Sequence, residues 1–166
     1  MSQHDDVLVS YLRRCYHAVD GLWFMMVEED SDFERALELD LRVWRVLAKI
    51  QARKARELLA VSGNSADDLT RCFSLKLDAD GHDYSTETDE DLVRFRIRAC
   101  PWRELLRKSD RQQLAAQVAR TICPTEGAVW CTEFGDEWQF DMPTMACADG
   151  DRCEMVFRRA ASPARR

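Results

Sequence analysis

What the 166-residue chain lacks narrows its class before any motif is read. No apolar run approaches the ~20 residues of a membrane-spanning helix. The opening MSQHDDVLVS is acidic where a signal peptide would be basic and then apolar. A cytoplasmic, reducing setting with no membrane partner is therefore the expectation. Basic charge is also in short supply: 24 Lys and Arg against 30 Asp and Glu leave a net charge of −6. General nucleic-acid binding needs a basic surface, so it is not expected here. Arg158, Arg159, Arg165 and Arg166 read as a solvated end, with a flexible tail over 159–166. There is no C-x-x-C or C-x-x-H pair, although the chain has seven cysteines. Zinc and iron–sulfur sites draw two ligands from one turn through such pairs. An odd count cannot pair fully within one chain, and free thiols are expected over disulfides. Internal repeats, linkers and low-complexity segments are missing too.

What remains is the composition of an ordinary folded domain, with 46% hydrophobic residues. One α+β domain is expected over 1–160, helical over 5–71 and sheet-containing over 72–158. Leu8, Leu12, Cys15, Val19, Leu22/Trp23 and Met26 recur at three-to-four spacing and predict a helix over 5–29. Ser31, three before Glu34, reads as a capping box for a second helix from about 32 to 61, closed by Gly63. The two form an antiparallel hairpin. Ser65 caps a short helix over 66–71. Phe73, Leu75 and Leu77 alternate with polar residues and predict a strand ending at Asp80-Gly81. Residues 93–98 alternate with Arg94, Arg96 and Arg98 on the wet face. Ser109 and Gln112 read as a capping box for a helix through Ile122. Trp138, Phe140 and Met142, then Cys153, Met155 and Phe157, form a hairpin around the turn at 148–151. The expected architecture is the helical hairpin packed with a mostly antiparallel four-stranded sheet bearing one or two further helices.

Three residue sets could carry chemistry. The first is the thiols Cys100, Cys123, Cys131, Cys147 and Cys153. Cys15 and Cys72 read as small buried hydrophobes. Cys100 ends an alternating strand before Pro101-Trp102, where a helix N-terminus would lower its pKa. No cofactor or metal is expected. The alternative is zinc or an iron–sulfur cluster held by Cys100, Cys123, Cys131 and Cys153. The second set is His17, Asp20, Gly21, Phe24 and Glu28, on one helical face apart from the apolar stripe. A mid-helix glycine costs roughly 1 kcal/mol against alanine, so Gly21 suggests close approach by a helix or ligand. Asp40, between Leu37 and Trp44, is oddly placed among apolar residues, and burial would raise its pKa and suit it to acid–base work. The third set is the tryptophans Trp23, Trp44, Trp102, Trp130 and Trp138, any of which could line a pocket or fill the core.

Asp20-Gly21-Leu22-Trp23-Phe24, followed by Trp44 in a long basic helix, resembles a bacterial and archaeal domain family of unknown function. Cys100-Pro101-Trp102, Cys123 with Glu126, and Gly150-Asp151 before Cys153 resemble the L-2-amino-thiazoline-4-carboxylic acid hydrolase-like family. That resemblance implies a small-molecule-binding protein able to hydrolyse a cyclic C–N bond. Glu126 or Asp20 would activate water, Cys100 would orient or attack the substrate, and Trp23, Trp44, Trp102, Cys123 and Cys153 would surround it. The chain departs from the pattern in having Glu126 in place of an aspartate and no arginine shortly before Pro143. The layout is also similar to small-molecule sensing domains of the vinyl-reductase type, which bind without turnover. Enzyme and non-enzymatic sensor both stand as expectations, and oligomeric state is left open.

Overall fold

The computed structural model describes residues 3–148 and 150–160. Two long helices, α1 (Gln3–Asp30) and α2 (Phe33–Leu58), form the expected hairpin, followed by α3 (Ala66–Asp80). Strands β1 (Asp83–Asp89) and β2 (Leu92–Ala99) come next, then α4 (Pro101–Lys108), a single 3₁₀ turn over Gln112–Leu114 and α5 (Ala115–Phe134). Strands β3 (Trp138–Thr144) and β4 (Cys153–Arg159) close the chain. The fold is α+β, with a fully antiparallel sheet in the order β1-β2-β4-β3.

The sheet's inner face is the alternation read from the sequence. Val93, Phe95 and Ile97 of β2 and Cys153, Met155 and Phe157 of β4 pack on Leu69, Phe73 and Leu77 of α3 and on Trp130 and Phe134 of α5. Phe73 sits at the centre, with ring centroids 5.0 Å from Phe95 and 4.9 Å from both Trp130 and Phe157. The arginines of β2 point outward, where Arg94 and Arg96 share Glu87, Arg96 also meets Glu154, and Arg98 pairs with Asp83. Such exposed pairs fix register more than they stabilise.

Several boundaries differ from expectation. The segment holding Phe73, Leu75 and Leu77 is helical, because Leu69, Phe73, Leu77 and Asp80 also recur at helical spacing and bury one face. The capping box at Ser65 is present, with Asp68 as its partner, but the helix runs to Gly81 in the left-handed conformation. The expected border at 71/72 thus falls inside α3. In its place β1 is the fourth strand, an edge strand of sequence DYSTETD with no apolar alternation to reveal it. The second helix is capped by Asp32, not Ser31, and ends before Gly63. Ala60 adopts φ 51° there, while the Val61 N–H reaches back to the Arg56 carbonyl and its side chain is buried. Ser109 closes α4 through its own hydroxyl to Leu105 and Leu106 carbonyls and opens nothing. α5 continues through Pro124 to Phe134, because one face buries Ile122, Glu126, Gly127, Trp130 and Phe134, enough to outweigh an interior proline. Arg158 and Arg159 belong to β4, where Arg159 donates to the Asn64 carbonyl and covers the Trp138 ring. Arg165 and Arg166 lie outside the described residues, as does Asp149 of the expected turn.

The largest departure is α1. Its apolar stripe faces solvent: Leu8, Leu12, Val19, Leu22, Trp23 and Met26 are 47–68% exposed, and Cys15 is exposed too. The inward face carries Arg13, Tyr16, His17, Asp20, Phe24 and Glu28. Gly21 is exposed as well, and a Cβ added there would meet nothing within 4 Å, so no neighbouring side chain explains it.

Gly127 is the glycine that permits a close approach. A Cβ there would stand 2.2 Å from the Phe140 ring. Gly127→Ala should therefore lower stability by about 1–3 kcal/mol in urea unfolding despite alanine's better helix propensity. An unchanged or raised midpoint would show that Phe140 does not set the α5–β3 spacing.

Candidate functional site

Beneath α1 lies a buried polar seam. The Lys76 ammonium of α3 is 2.9 Å from Glu126 Oε1 of α5 and 3.2 Å from Asp80 Oδ2, one helical turn on, and all three side chains are 6% exposed or less. Burial alone would lower the Lys76 pKa, but Glu126 and then Asp80 outweigh it and hold the ammonium charged. Burial pushes Glu126 upward against the pull of Lys76. Tyr16 and His17 of α1 rest on this seam. Burial, followed by the Asp80 charge, raises the Tyr16 phenol, so it stays protonated. Burial lowers His17 in spite of Asp80, whose backbone it hydrogen-bonds, and burial with Lys76 pushes His82 down to about 3. Both imidazoles are neutral. The His17 Nε2 and Tyr16 hydroxyl are buried with no hydrogen-bond partner.

Next to the seam α1, α4 and the start of α5 enclose a cleft of about 230 Å³, with Phe33 and Asp40 of α2 on its wall. Phe24, Phe33, Trp102, Leu106 and Val118 make its sides apolar. Trp102 is the hub of the aromatic wall, 4.4 Å from the His17 ring, 5.6 Å from Tyr16 and 5.2 Å from Trp44. Arg111 on the cleft wall is ion-paired with Glu28 and lies 5.9 Å from the Phe24 ring centroid.

Two carboxyl groups face this cleft, Asp20 from α1 and Asp40 from α2. Both accept from the Trp44 side chain, whose indole N–H is its one donor. Burial raises Asp20 to about 6. Burial, with the Asp20 charge added, raises Asp40 to about 7. Two acids near one another in apolar surroundings titrate as a pair around neutral pH, keeping a proton that either alone in water would lose.

The thiols occupy different ground. Cys100 and Cys153 both lie near enough to Cys123 and to Cys147 to raise their pKa values, Cys153 does the same to Cys100, and neither Cys15 nor Cys72 takes part. Cys100 and Cys147 line a second groove of about 630 Å³ with Arg98, Arg103 and Arg107. Cys100 stands at the N-cap of α4 but makes no side-chain cap hydrogen bond. Burial outweighs the lowering influence of the Arg103 and Trp102 amides and raises its pKa, the reverse of the expected activation. Cys123 is pushed well up by burial and then by Glu126. Cys131 is raised by burial to about 12. All seven cysteines are free thiols. Among the described residues no three His, Cys, Asp or Glu side chains are grouped as metal ligands would be.

The sequence-derived site residues therefore separate. Asp20 and Trp102 line the aromatic cleft, with Trp44 bonded behind it. Cys100 lines the other groove, and Cys123 and Cys153 are next to it. Glu126 is committed to Lys76, and Trp23 stands 62% exposed on the outer face of α1. Sequence reading misses Lys76 and Asp80 because it places them in and after a strand. Their four-residue spacing becomes a pair only once that segment is helical.

These features define an α+β protein with a small carboxyl-bearing pocket between its helical hairpin and the segment running from α4 into α5. The chain belongs to DUF6125, a family of unknown function, which it matches over residues 2–155, across both the helical and the sheet-bearing parts. No curated protein and no solved structure matches the chain. None of the helices among the described residues is long and apolar enough to cross a membrane.

Removing one member of a buried ionic triad strands the others. Lys76→Met should cost about 3–5 kcal/mol of unfolding free energy at pH 7. The stranded carboxyls would then hold protons more tightly in the fold than unfolded, so the loss should shrink as the pH is lowered toward 5. A cost below about 1 kcal/mol, or one independent of pH, would mean the triad is not buried as described.

Proposed function

We propose that this is a small-molecule-binding protein whose cleft takes an apolar or aromatic molecule bearing a basic nitrogen. The observation that carries the reading is the Asp20–Asp40 pair at the wall of an otherwise apolar, aromatic pocket. A cationic nitrogen would supply the charge the pair lacks, and Phe24, Phe33 and Trp102 would receive the attached apolar part and the faces of the cation.

Hydrolysis of a cyclic C–N bond, which the short motifs around Cys100, Glu126 and Cys153 imply by resemblance, is less well supported by the geometry. Asp20 and Cys100 line different cavities, burial keeps the Cys100 thiol protonated, and Glu126 is held by Lys76. Binding without turnover, as in a sensor, needs only the cleft. An aminothiazoline ring carries a basic C=N nitrogen, so it serves as a probe for both readings.

The test is tryptophan fluorescence, since Trp102 and Trp44 sit at the cleft, with 2-phenylethylamine, L-2-amino-thiazoline-4-carboxylate and phenylacetate as probes. The amine should bind and phenylacetate should not, and Asp40→Asn should weaken the amine by about tenfold or more. Binding should be strongest near pH 8 and fade as pH falls through the pair's values of about 7 and 6, because protonation removes the charge the cation needs. Equal binding of phenylacetate, or no effect of Asp40→Asn, would overturn the reading. Ring opening of the aminothiazoline, followed by NMR, would put the hydrolase first.

A further inference from the structure

We infer that the protein forms a symmetric homodimer through the outer face of the α1–α2 hairpin, with α1 antiparallel to α1 of the second copy. The exposed stripe of α1 is Leu8, Leu12, Cys15, Val19, Leu22 and Met26, with steps of four, three, four, three and four residues. This is the two-in-seven spacing of a helix seam that packs against another helix, too regular and too long for scattered surface apolar residues. Of the six positions flanking it across the seam, Val9, Tyr11, Ala18, Trp23 and Met25 are exposed and uncharged, while Tyr16 turns inward onto the Lys76 seam. On α2, Val43, Val46 and Ile50 repeat the spacing and are 47–58% exposed.

The area is that of an interface. Around a dozen large apolar side chains, each roughly half exposed, present on the order of 1,000 Å², above the few hundred Å² of a usual monomer patch and near the ~800 Å² each partner contributes to a standard complex.

The stripe also matches itself. It is symmetric about His17, so two antiparallel copies of α1 bring Leu8 opposite Met26, Leu12 opposite Leu22 and Cys15 opposite Val19. All six positions are used, and each seam class meets the other, as an antiparallel pair of helices requires. A two-fold axis through this point makes an isologous contact, the closed arrangement most homodimers adopt. A membrane surface fits less well. Interfacial helices flank their apolar face with Lys and Arg. Here Arg42, Arg45 and Lys49 flank the α2 residues, but the long α1 stripe is bounded at its two ends by the exposed Asp5, Asp6, Glu29 and Asp30 on a chain of net charge −6.

Sedimentation equilibrium of the full chain, with reductant present, reads the assembly. The expected result is twice the 19.3 kDa chain mass. Val19→Glu, at a position 68% exposed and outside the cleft lining, should keep the circular dichroism and unfolding midpoint of a folded chain. It should weaken the dimer by about a hundredfold or more, because each copy then buries a carboxylate. Val19→Cys should give an inter-chain disulfide with Cys15 of the second copy on mild oxidation, lost in the Cys15→Ser background. A monomer at about 100 µM, or a dimer unaffected by Val19→Glu, overturns the proposal. A dimer that Val19→Glu dissociates but that forms no such crosslink overturns the antiparallel register.

Discussion

The ammonium group of Lys76, held between Glu126 and Asp80, organises the structure around it. It ties α3 to α5 on the sheet's covered face, and it sets the polarity of the surface on which α1 must lie. Arg13 of α1 donates to the Asp78 and Ala79 carbonyls at the end of α3, both at 2.7 Å, satisfying groups a helix end leaves open. Tyr16 and His17 follow onto Asp80. With these contacts made, α1 has only one rotational setting left. Its polar face goes in and its apolar stripe goes out, against what hydrophobicity alone would choose for an isolated chain. A second copy covering the stripe would remove that conflict.

The same setting creates the cleft. Turning α1 this way brings Asp20 toward α2, where Asp40 and Trp44 wait, and leaves α4 to supply Trp102 as the facing wall. The cost falls on the carboxyl pair, whose raised pKa values mean that the unliganded fold loses stability as the pH climbs from the ordinary aspartate value of 3.8 through about 6 and 7, the loss being complete once both groups are ionised. Natural chains keep such unfavourable groups at functional sites and offset them elsewhere. Here the offset lies in the aromatic core around Phe73 and in the fully antiparallel sheet.

Much of the architecture was legible in the sequence. The hairpin, the α+β class, the β3–β4 pairing and the alternation of β2 follow from period alone. So does the grouping of His17, Asp20, Phe24 and Glu28 on one face of α1, and the unusual position of Asp40. What was not legible has physical reasons. Residues 73–77 satisfy periods of two and of 3.6 together, and tertiary packing decides between them. β1 is an edge strand with little to bury, so no apolar period marks it. The stripe on α1 reads correctly as an amphipathic helix, but period cannot say which surface the stripe meets. Lys76 and Glu126 are fifty residues apart, and no local pattern joins them.

Carboxyl ¹³C NMR titration of Asp20 and Asp40 in the unliganded protein, repeated with saturating 2-phenylethylamine, tests the central claim most directly. The account predicts midpoints near 6 for Asp20 and near 7 for Asp40 in the free protein, both falling when the amine binds. Midpoints near the ordinary aspartate value of about 3.9, or values unmoved by the amine, would contradict it.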